Sequence, residues 1–431
     1  MSGTLFAHGS PTTVISDAEL KRIVHDTLAG LGEKRRVLAV PPDFTRFNSR
    51  AGIATQAVAE LYGQALTDVL PALGTHVPMP EWQIRKMYAG VPVERFRVHD
   101  WRNDVVTVGE LPADFVRIAS DGVYDKPWPA QLNKLVWNGG HDLILSIGQV
   151  VPHEVTGMAN HTKNLFVGTG GAAGINESHF IGACYGMERM MGRADTPVRR
   201  LLNEALVRFC AHLPIVFILT VVGRPTAGET PGPDGLVTRG LYIGSGTECF
   251  ELACRLSVAV NFVHLDEEPK KVVVWLDPEE FHTTWLGNKS IYRTRMAIAT
   301  GGELIVLAPG LKGFGEDPGI DALIRKYGYR TTPEIMSFVA GNADLRANLS
   351  AAAHLIHGSS EGRFTVRYCP GVLSRAEVES VGYQWGDLAE QRQRYNPEVL
   401  TDGWNTMADG ERLYFIRNPA LGLWAWKGRL G

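Results

Sequence analysis

The chain has 431 residues, too many for one typical core of roughly 100 to 200 residues, so two domains are expected, with room for a small third lobe. Hydrophobic residues make up 45% and charged residues 21%, the balance of an ordinary globular protein and not of a disordered one. With 43 Lys and Arg against 46 Asp and Glu, a net charge of -3 and no dense basic block, nucleic acid and anionic membrane are poor partners.

In chain order, the first twenty residues lack the basic and then apolar pattern of a secretion signal, and no window holds the ~18 apolar residues of a membrane span. A cytoplasmic location is expected. Ser16 and Asp17 are candidate caps for a helix whose apolar positions are Leu20, Ile23 and Leu28. Arg36 to Val40 reads as a buried strand ending in a loop that carries Asp43 and Arg46. Residues 52–66 read as a helix. Residues 68–76 read as a second strand, weakened by Pro71, with His76 at its end.

Further strands are expected at 142–148, 164–168, 215–223 and 240–246, with helices at 178–191 and 195–213 between them. The charged, proline-containing stretch at 264–271 marks the boundary between an N-terminal domain, 1–266, and a smaller C-terminal one, 270–431. The latter shows strands at 271–276 and 302–310 and helices near 291–300, 319–329, 332–341 and 344–356. Helices alternating with short apolar strands give both domains a parallel α/β architecture. Five cysteines, Cys184, Cys210, Cys249, Cys254 and Cys369, include no Cys-x-x-Cys pair and read as buried apolar side chains in a reducing compartment.

The stretch GQVVPHEVTGMANHTKNLFVGTGGAAGINESHF, residues 148–180, gathers His153, His161, His179, Lys163 and a glycine run. Each has an ordinary reading alone. Gly168 to Gly174 can bring backbone N–H groups to a phosphate, but the run fits neither the dinucleotide nor the Walker pattern and, taken alone, reads more readily as a tight packing loop. His153, His161 and His179 can in principle surround one zinc, although the H-E-x-x-H spacing is missing. Asp43 and Arg46 can bind a hydroxyl and an anion, or pair with each other.

The set as a whole resembles the lactate racemase family, whose members use a nickel-pincer nucleotide, a pyridinium mononucleotide with two sulfur-bearing arms that hold nickel. The D-x-T-R loop of that family is matched by Asp43, Thr45 and Arg46, its G-T-H segment by Gly74, Thr75 and His76, and its P-H segment by Pro152 and His153. Lys163 follows ten residues later and His179 sixteen after that. The resemblance covers about residues 36 to 310 and extends to the segment YQWGDLAEQ, which holds Trp385.

What the resemblance implies is a 2-hydroxy acid racemase or epimerase of two α/β domains, with cofactor and substrate in the cleft between them. His76 and His153 would exchange the hydroxyl proton, Lys163 would bind the nucleotide's thioacid, and His179 would ligate nickel. Asp43, Thr45, Arg46, Gly168, Gly170 and Gly171 would hold the nucleotide, and Arg46, Tyr292, Arg293 and Trp385 the substrate. Separate cofactor-making enzymes would be needed for maturation.

Two departures stand out. Asn160 and His161 occupy the place of a family Gly-Gly pair, and Tyr292, Arg293 and Met296 stand where the family has Y-Q-x-x-K. The missing lysine points away from lactate, toward a bulkier, dicarboxylic or sugar acid. The competing readings are a zinc hydrolase built on His153, His161 and His179, and a non-catalytic ligand-binding homologue.

Overall fold

In the computed structural model, which describes residues 3–429, the first unit is built on six strands: β1 (Thr4–Gly9), β2 (Val37–Val40), β3 (Leu66–Val69), β4 (Leu143–Gln149), β5 (Ile215–Gly223) and β6 (Val237–Gly244). They lie in the order β1-β6-β5-β4-β2-β3. The four from β5 to β3 run parallel, while β6 and β1 complete the sheet antiparallel. Every residue of β5 and β6 is buried, as expected of strands covered on both faces.

Helix α1 (Asp17–Ala29) starts where Ser16 accepts the Glu19 N–H at 3.2 Å, one of the donors the first turn leaves unpaired. Its apolar residues Leu20, Ile23, Val24 and Leu28 recur at helical spacing and pack on Val37, Ala39 and Leu145 of the sheet. In α2 (Ala51–Tyr62), small residues face inward, and Gly52 is required because a Cβ there would lie 2.1 Å from the Met87 carbonyl oxygen. Further helices are α3 (Thr162–Phe166), α4 (Ala172–Tyr185), of which only the part up to Ile181 belongs to this unit, α5 (Pro197–Phe209) and α6 (Thr247–Asn261). The chain divides so that this unit runs to Ile181 and resumes over Arg189–Asn261, while Gly182–Glu188 and the chain from Phe262 onward form the second.

The second unit holds its own six-stranded sheet: β7 (Lys271–Trp275), β8 (Glu303–Ala308), β9 (Thr365–Pro370), β10 (Gln384–Trp385), β11 (Gly403–Thr406) and β12 (Arg412–Ile416). The order is β10-β9-β8-β7-β12-β11, parallel throughout except for β11. Val273, Ile305, Leu307, Leu413 and Phe415 centre its core. Both units are therefore α/β, as the alternation in the sequence implies.

Several elements differ from the sequence reading. The apolar run at 164–168, expected as a strand, is the helix α3 and its end. So short an apolar run suits either state, and Asn164 decides by donating to the Val40 carbonyl and the Ser146 hydroxyl from a helical backbone. The strand expected over 68–76 ends at Val69, before Pro71 can break the ladder. Near 291–300, helix is limited to Lys289–Tyr292. The antiparallel pair Val105–Leu111 and Trp128–Asn133 was not foreseen.

Of the cysteines, four are buried and Cys184 is partly so; burial pushes the Cys254 thiol up to about 12. No helix among the described residues is long and apolar enough to cross a membrane.

Replacing Leu20, which is fully buried between α1 and the sheet, by alanine is expected to lower unfolding free energy by ~2–5 kcal/mol. Ser16→Ala is expected to cost about 1 kcal/mol through the lost cap. Chemical denaturation of the two variants checks the order; a Leu20→Ala chain as stable as the parent would contradict this packing.

Candidate functional site

Three neighbouring parallel strands deliver the candidate residues. β2 runs into Pro41, Pro42 and Asp43, β3 into the loop that ends at His76, and β4 into Pro152 and His153. The chain leaves β2 toward β3 on one side and returns to β4 on the other, which makes the carboxyl ends of β2 and β4 the switch point where open α/β sheets bind ligands.

Asp43 is 5% exposed and precedes a short 3-10 turn, Phe44–Ser49. The Tyr88 hydroxyl braces the preceding residue by donating to the Pro42 carbonyl. One Asp43 oxygen accepts the Thr45 hydroxyl at 2.5 Å and the other lies 2.6 Å from His76 Nδ1. Burial pushes the carboxyl up, yet the bond to His76, with its charge, Thr45 and Arg46, holds it below its ordinary value. The carboxylate therefore has no proton to give, and His76 must donate from Nδ1. Arg46 does not pair with Asp43: its side chain is exposed and makes no hydrogen bond or ion pair among the described residues.

His153 is 7% exposed and accepts the Val155 backbone N–H at Nδ1, 3.1 Å away. Burial, reinforced by Lys163, Arg46 and His179 and opposed by Glu154, pushes it well below the usual histidine range. Lys163 stands in the first turn of α3, and its ammonium meets no hydrogen-bond acceptor among the described residues. Burial first, then Arg46 and Arg199, pull it down to about 8 against Glu154 and Asp43. His179, in the middle of α4, donates from Nδ1 to the Ile175 carbonyl at 2.7 Å, and burial takes it to about 4. His153 thus senses the charges of Lys163, Arg46 and His179, Lys163 that of Arg46, and His179 that of Lys163.

Asn160 and His161 both take positive φ, 64° and 58°, a region where glycine is at ease and other residues are strained. Three contacts hold them there. Asn160 accepts the His161 N–H on its own side chain at 2.7 Å. The buried Arg199 guanidinium donates to the Met158 and Asn160 carbonyls and to the Thr162 hydroxyl. The His161 ring packs between Phe217 and Phe250, with centroids 3.8 and 4.9 Å away, and donates from Nε2 to the Gly246 carbonyl.

His161 is a core side chain whose pKa burial lowers to about 3. It does not join His153 and His179 in a zinc site, and no group of three or more His, Cys, Asp or Glu among the described residues is placed to hold a metal.

The glycine run is tightly packed. A Cβ would lie 2.4 Å from the Asn164 carbonyl oxygen at Gly168, 1.9 Å from that of Phe166 at Gly170, and 2.5 Å from Gln131 Oε1 at Gly171. The Gly168 and Gly170 N–H groups donate to Lys163 and Val167 carbonyls, so they are not open to a phosphate. The turn is tied to its surroundings by Gly74, whose N–H donates to the Gly168 carbonyl, and by His99, which donates to that of Gly170.

In the second unit, Tyr292 is buried and Met296 is 2% exposed, its carbonyl accepting the Trp426 N–H. Met296 is a core residue. Arg293 is partly exposed, with a buried Nε that has no partner. Trp385 is partly exposed, with Arg375 over its ring at 5.9 Å.

Residues 8–190 match the family model described as the lactate racemase N-terminal domain. This part of the chain is similar to that domain. The match contains Asp43, Thr45, Arg46, His76, His153, Lys163, the glycine run and His179 of the lactate racemase-like chain.

The fold resembles a Thermotoga maritima protein of known structure, with TM-score 0.77 and 23% identity over 96% of this chain and 98% of the other. It also resembles the lactate racemase apoprotein from Thermoanaerobacterium thermosaccharolyticum, with TM-score 0.70 and 14% identity over 97% and 94%. These likenesses establish the fold. No curated protein matches the sequence.

Glu154 and Arg199 went unnoticed in the sequence. Glu154 directly follows His153 and could have been flagged as its electrostatic neighbour. Nothing in an amphipathic helix such as α5 marks Arg199 as buried.

Lys163 should be modified by an amine-directed acylating reagent with a half-point near pH 8, because below that pH its amine is protonated and above it is a free nucleophile. Peptide mass spectrometry over a pH series checks this; a half-point near that of exposed lysines, about 10, would contradict it.

Proposed function

We propose that the chain is a racemase or epimerase that inverts the C2 centre of a 2-hydroxy acid by reversible hydride transfer, using a nickel-pincer nucleotide. What supports this reading most is that the Asp43–His76 pair and His153 follow the ends of adjacent strands, with His153 sensing the charges of Arg46, Lys163 and His179, in a region similar to the lactate racemase N-terminal domain.

The residues fit the nucleotide. Lys163 offers an unpaired amine that is substantially neutral just above pH 8, suited to a bond with a thioacid arm. In His179 the Ile175 carbonyl fixes the proton on Nδ1 and leaves Nε2 with a lone pair for a metal. Because no protein cluster among the described residues holds a metal unaided, the metal has to bring most of its ligands, and sulfur arms suit nickel. When bound, the nucleotide supplies an acceptor for the hydride from C2.

The chain supplies proton handling and orientation. Taking a proton from C2 would build negative charge beside a carboxylate; removing a hydride avoids that charge. His76 takes the hydroxyl proton at Nε2, and Asp43 stabilises the resulting imidazolium through Nδ1–H. Arg46, whose guanidinium is uncommitted, binds the substrate carboxylate. Gly168 and Gly170 shape the turn and leave phosphate binding to other groups.

With Met296 in the core and Arg293 as the available cation, a sugar, bulkier or dicarboxylic acid suits the chain better than lactate. The nucleotide would have to be made in the same compartment, the cytoplasm, by separate enzymes.

Co-expression with cofactor-making enzymes should give about one nickel per chain and a covalent mass on Lys163, with inversion of a 2-hydroxy acid on chiral chromatography. His179→Ala should lose nickel and stay folded. Zinc in place of nickel, or no metal and no adduct while an authentic lactate racemase loads in parallel, would overturn the proposal.

A further inference from the structure

The second unit holds a polar cavity of about 360 Å³, a volume within the range of small-molecule sites. It lies at the amino ends of β9 and β10, where Thr365 and Gln384 open the two strands. Open α/β sheets place their usual ligand crevice at the carboxyl ends, so this cavity is a separate feature of the fold.

Arg330 supplies its only cation among the described residues. The half-buried guanidinium gives one hydrogen bond, from Nη1 to the Tyr329 carbonyl at 3.2 Å, and meets no carboxylate among the described residues. By contrast, Arg325, Arg363 and Arg367 of the same unit each hold one. The backbone makes room for this unpaired group. Gly328 and Gly382 both take positive φ, 66° and 95°, and a Cβ on them would lie 3.0 and 2.2 Å from Arg330 Nη1. With Nη1 used, Nε and Nη2 remain as the planar fork that fits a carboxylate.

The other lining groups define the rest of the ligand. Ser360, Thr365 and Gln384 line the cavity with side chains that meet no hydrogen-bond partner among the described residues. Ser359 accepts the Glu361 N–H at 3.0 Å and keeps its own hydroxyl proton to give. Tyr329 and Tyr383 stack with centroids 4.6 Å apart and spend their hydroxyls on Thr284 and Asn288, so they offer carbon surface. Glu334 also lines the cavity. Its Oε2 accepts the Thr331 N–H and hydroxyl, and those bonds first, with Arg330 last, hold its carboxyl below the ordinary value. A dianion would face that negative charge with one guanidinium to offset it; a single negative charge suits the cavity better.

We infer that this cavity binds a small monocarboxylate that carries hydroxyl groups, with the carboxylate on the Arg330 fork and the hydroxyls on Ser360, Thr365 and Gln384. The inference does not rest on the proposed function, because every residue it uses belongs to the second unit.

Hydrogen exchange of the cofactor-free full chain, followed by peptide mass spectrometry, tests it at the site itself. The probes are D-gluconate, sorbitol as its uncharged counterpart, and inorganic phosphate. Millimolar gluconate is expected to slow exchange saturably over 358–366, sorbitol to have no effect, and phosphate to need a higher concentration. Arg330→Gln gives up one backbone hydrogen bond and should melt with the parent. It should raise the half-saturating gluconate concentration about tenfold or more. Ser360→Ala, which breaks no recorded contact of its side chain, should raise it a few-fold and keeps the test open if the arginine variant misfolds. Exchange over 358–366 that gluconate leaves unchanged would overturn the inference. So would an effect that persists undiminished in both variants, an equal effect of sorbitol, or tighter binding of phosphate.

Discussion

The site depends on one buried carboxylate. Asp43 leaves the end of β2 into a position where burial alone would neutralise it, and it stays charged because Thr45 and His76 each give it a hydrogen bond. That charge orients the His76 ring, fixes its proton on Nδ1, and offsets the positive charge of Arg46 and Lys163. Without it, His76 would be a loosely held ring on an exposed loop, and Lys163 would lose one of the two carboxylates that moderate its pKa. A charge-assisted bond of this kind is stronger than a neutral one and more directional.

The segment between His153 and Lys163 shows how a sequence can leave a family pattern and keep the backbone. Glycines would adopt positive φ at 160 and 161 without steric cost. Asn160 and His161 adopt it under strain of ~1–3 kcal/mol each, offset by the Asn160 side-chain bond, the Arg199 guanidinium across three oxygens, and the His161 ring between two phenylalanines. The same Arg199 has no acidic partner among these contacts, and its charge helps to depress Lys163. Structural support and electrostatic tuning therefore come from one side chain.

Much of the scaffold could be read from residue patterns. Ser16 with Leu20, Ile23 and Leu28 marked α1, and the nine-residue run at 215–223 marked β5, because caps and long apolar runs are local signals. The run at 164–168 was misassigned because its helical state depends on Asn164 reaching Val40 and Ser146, contacts distant in sequence. The glycine run allowed an open cradle, whereas the Gly168 and Gly170 N–H groups are used inside the turn. Histidine spacing alone allowed a zinc trio, since sequence does not reveal that His161 points into a phenylalanine-lined core. The residues Asp43, His76, His153, Lys163 and His179 were picked out as a set by their motifs; the tautomers of His153 and His179 depend on backbone neighbours that no motif encodes.

The central claim is that C2 gives up a hydride and not a proton. Its most direct test is a 2-hydroxy acid carrying deuterium at C2, incubated with the cofactor-loaded enzyme in ordinary water and analysed by mass after chiral separation. If hydride leaves and returns within the site, the inverted product keeps its deuterium. Inverted product with hydrogen from solvent at C2 would mean that the bond is broken as a proton, and would contradict the account.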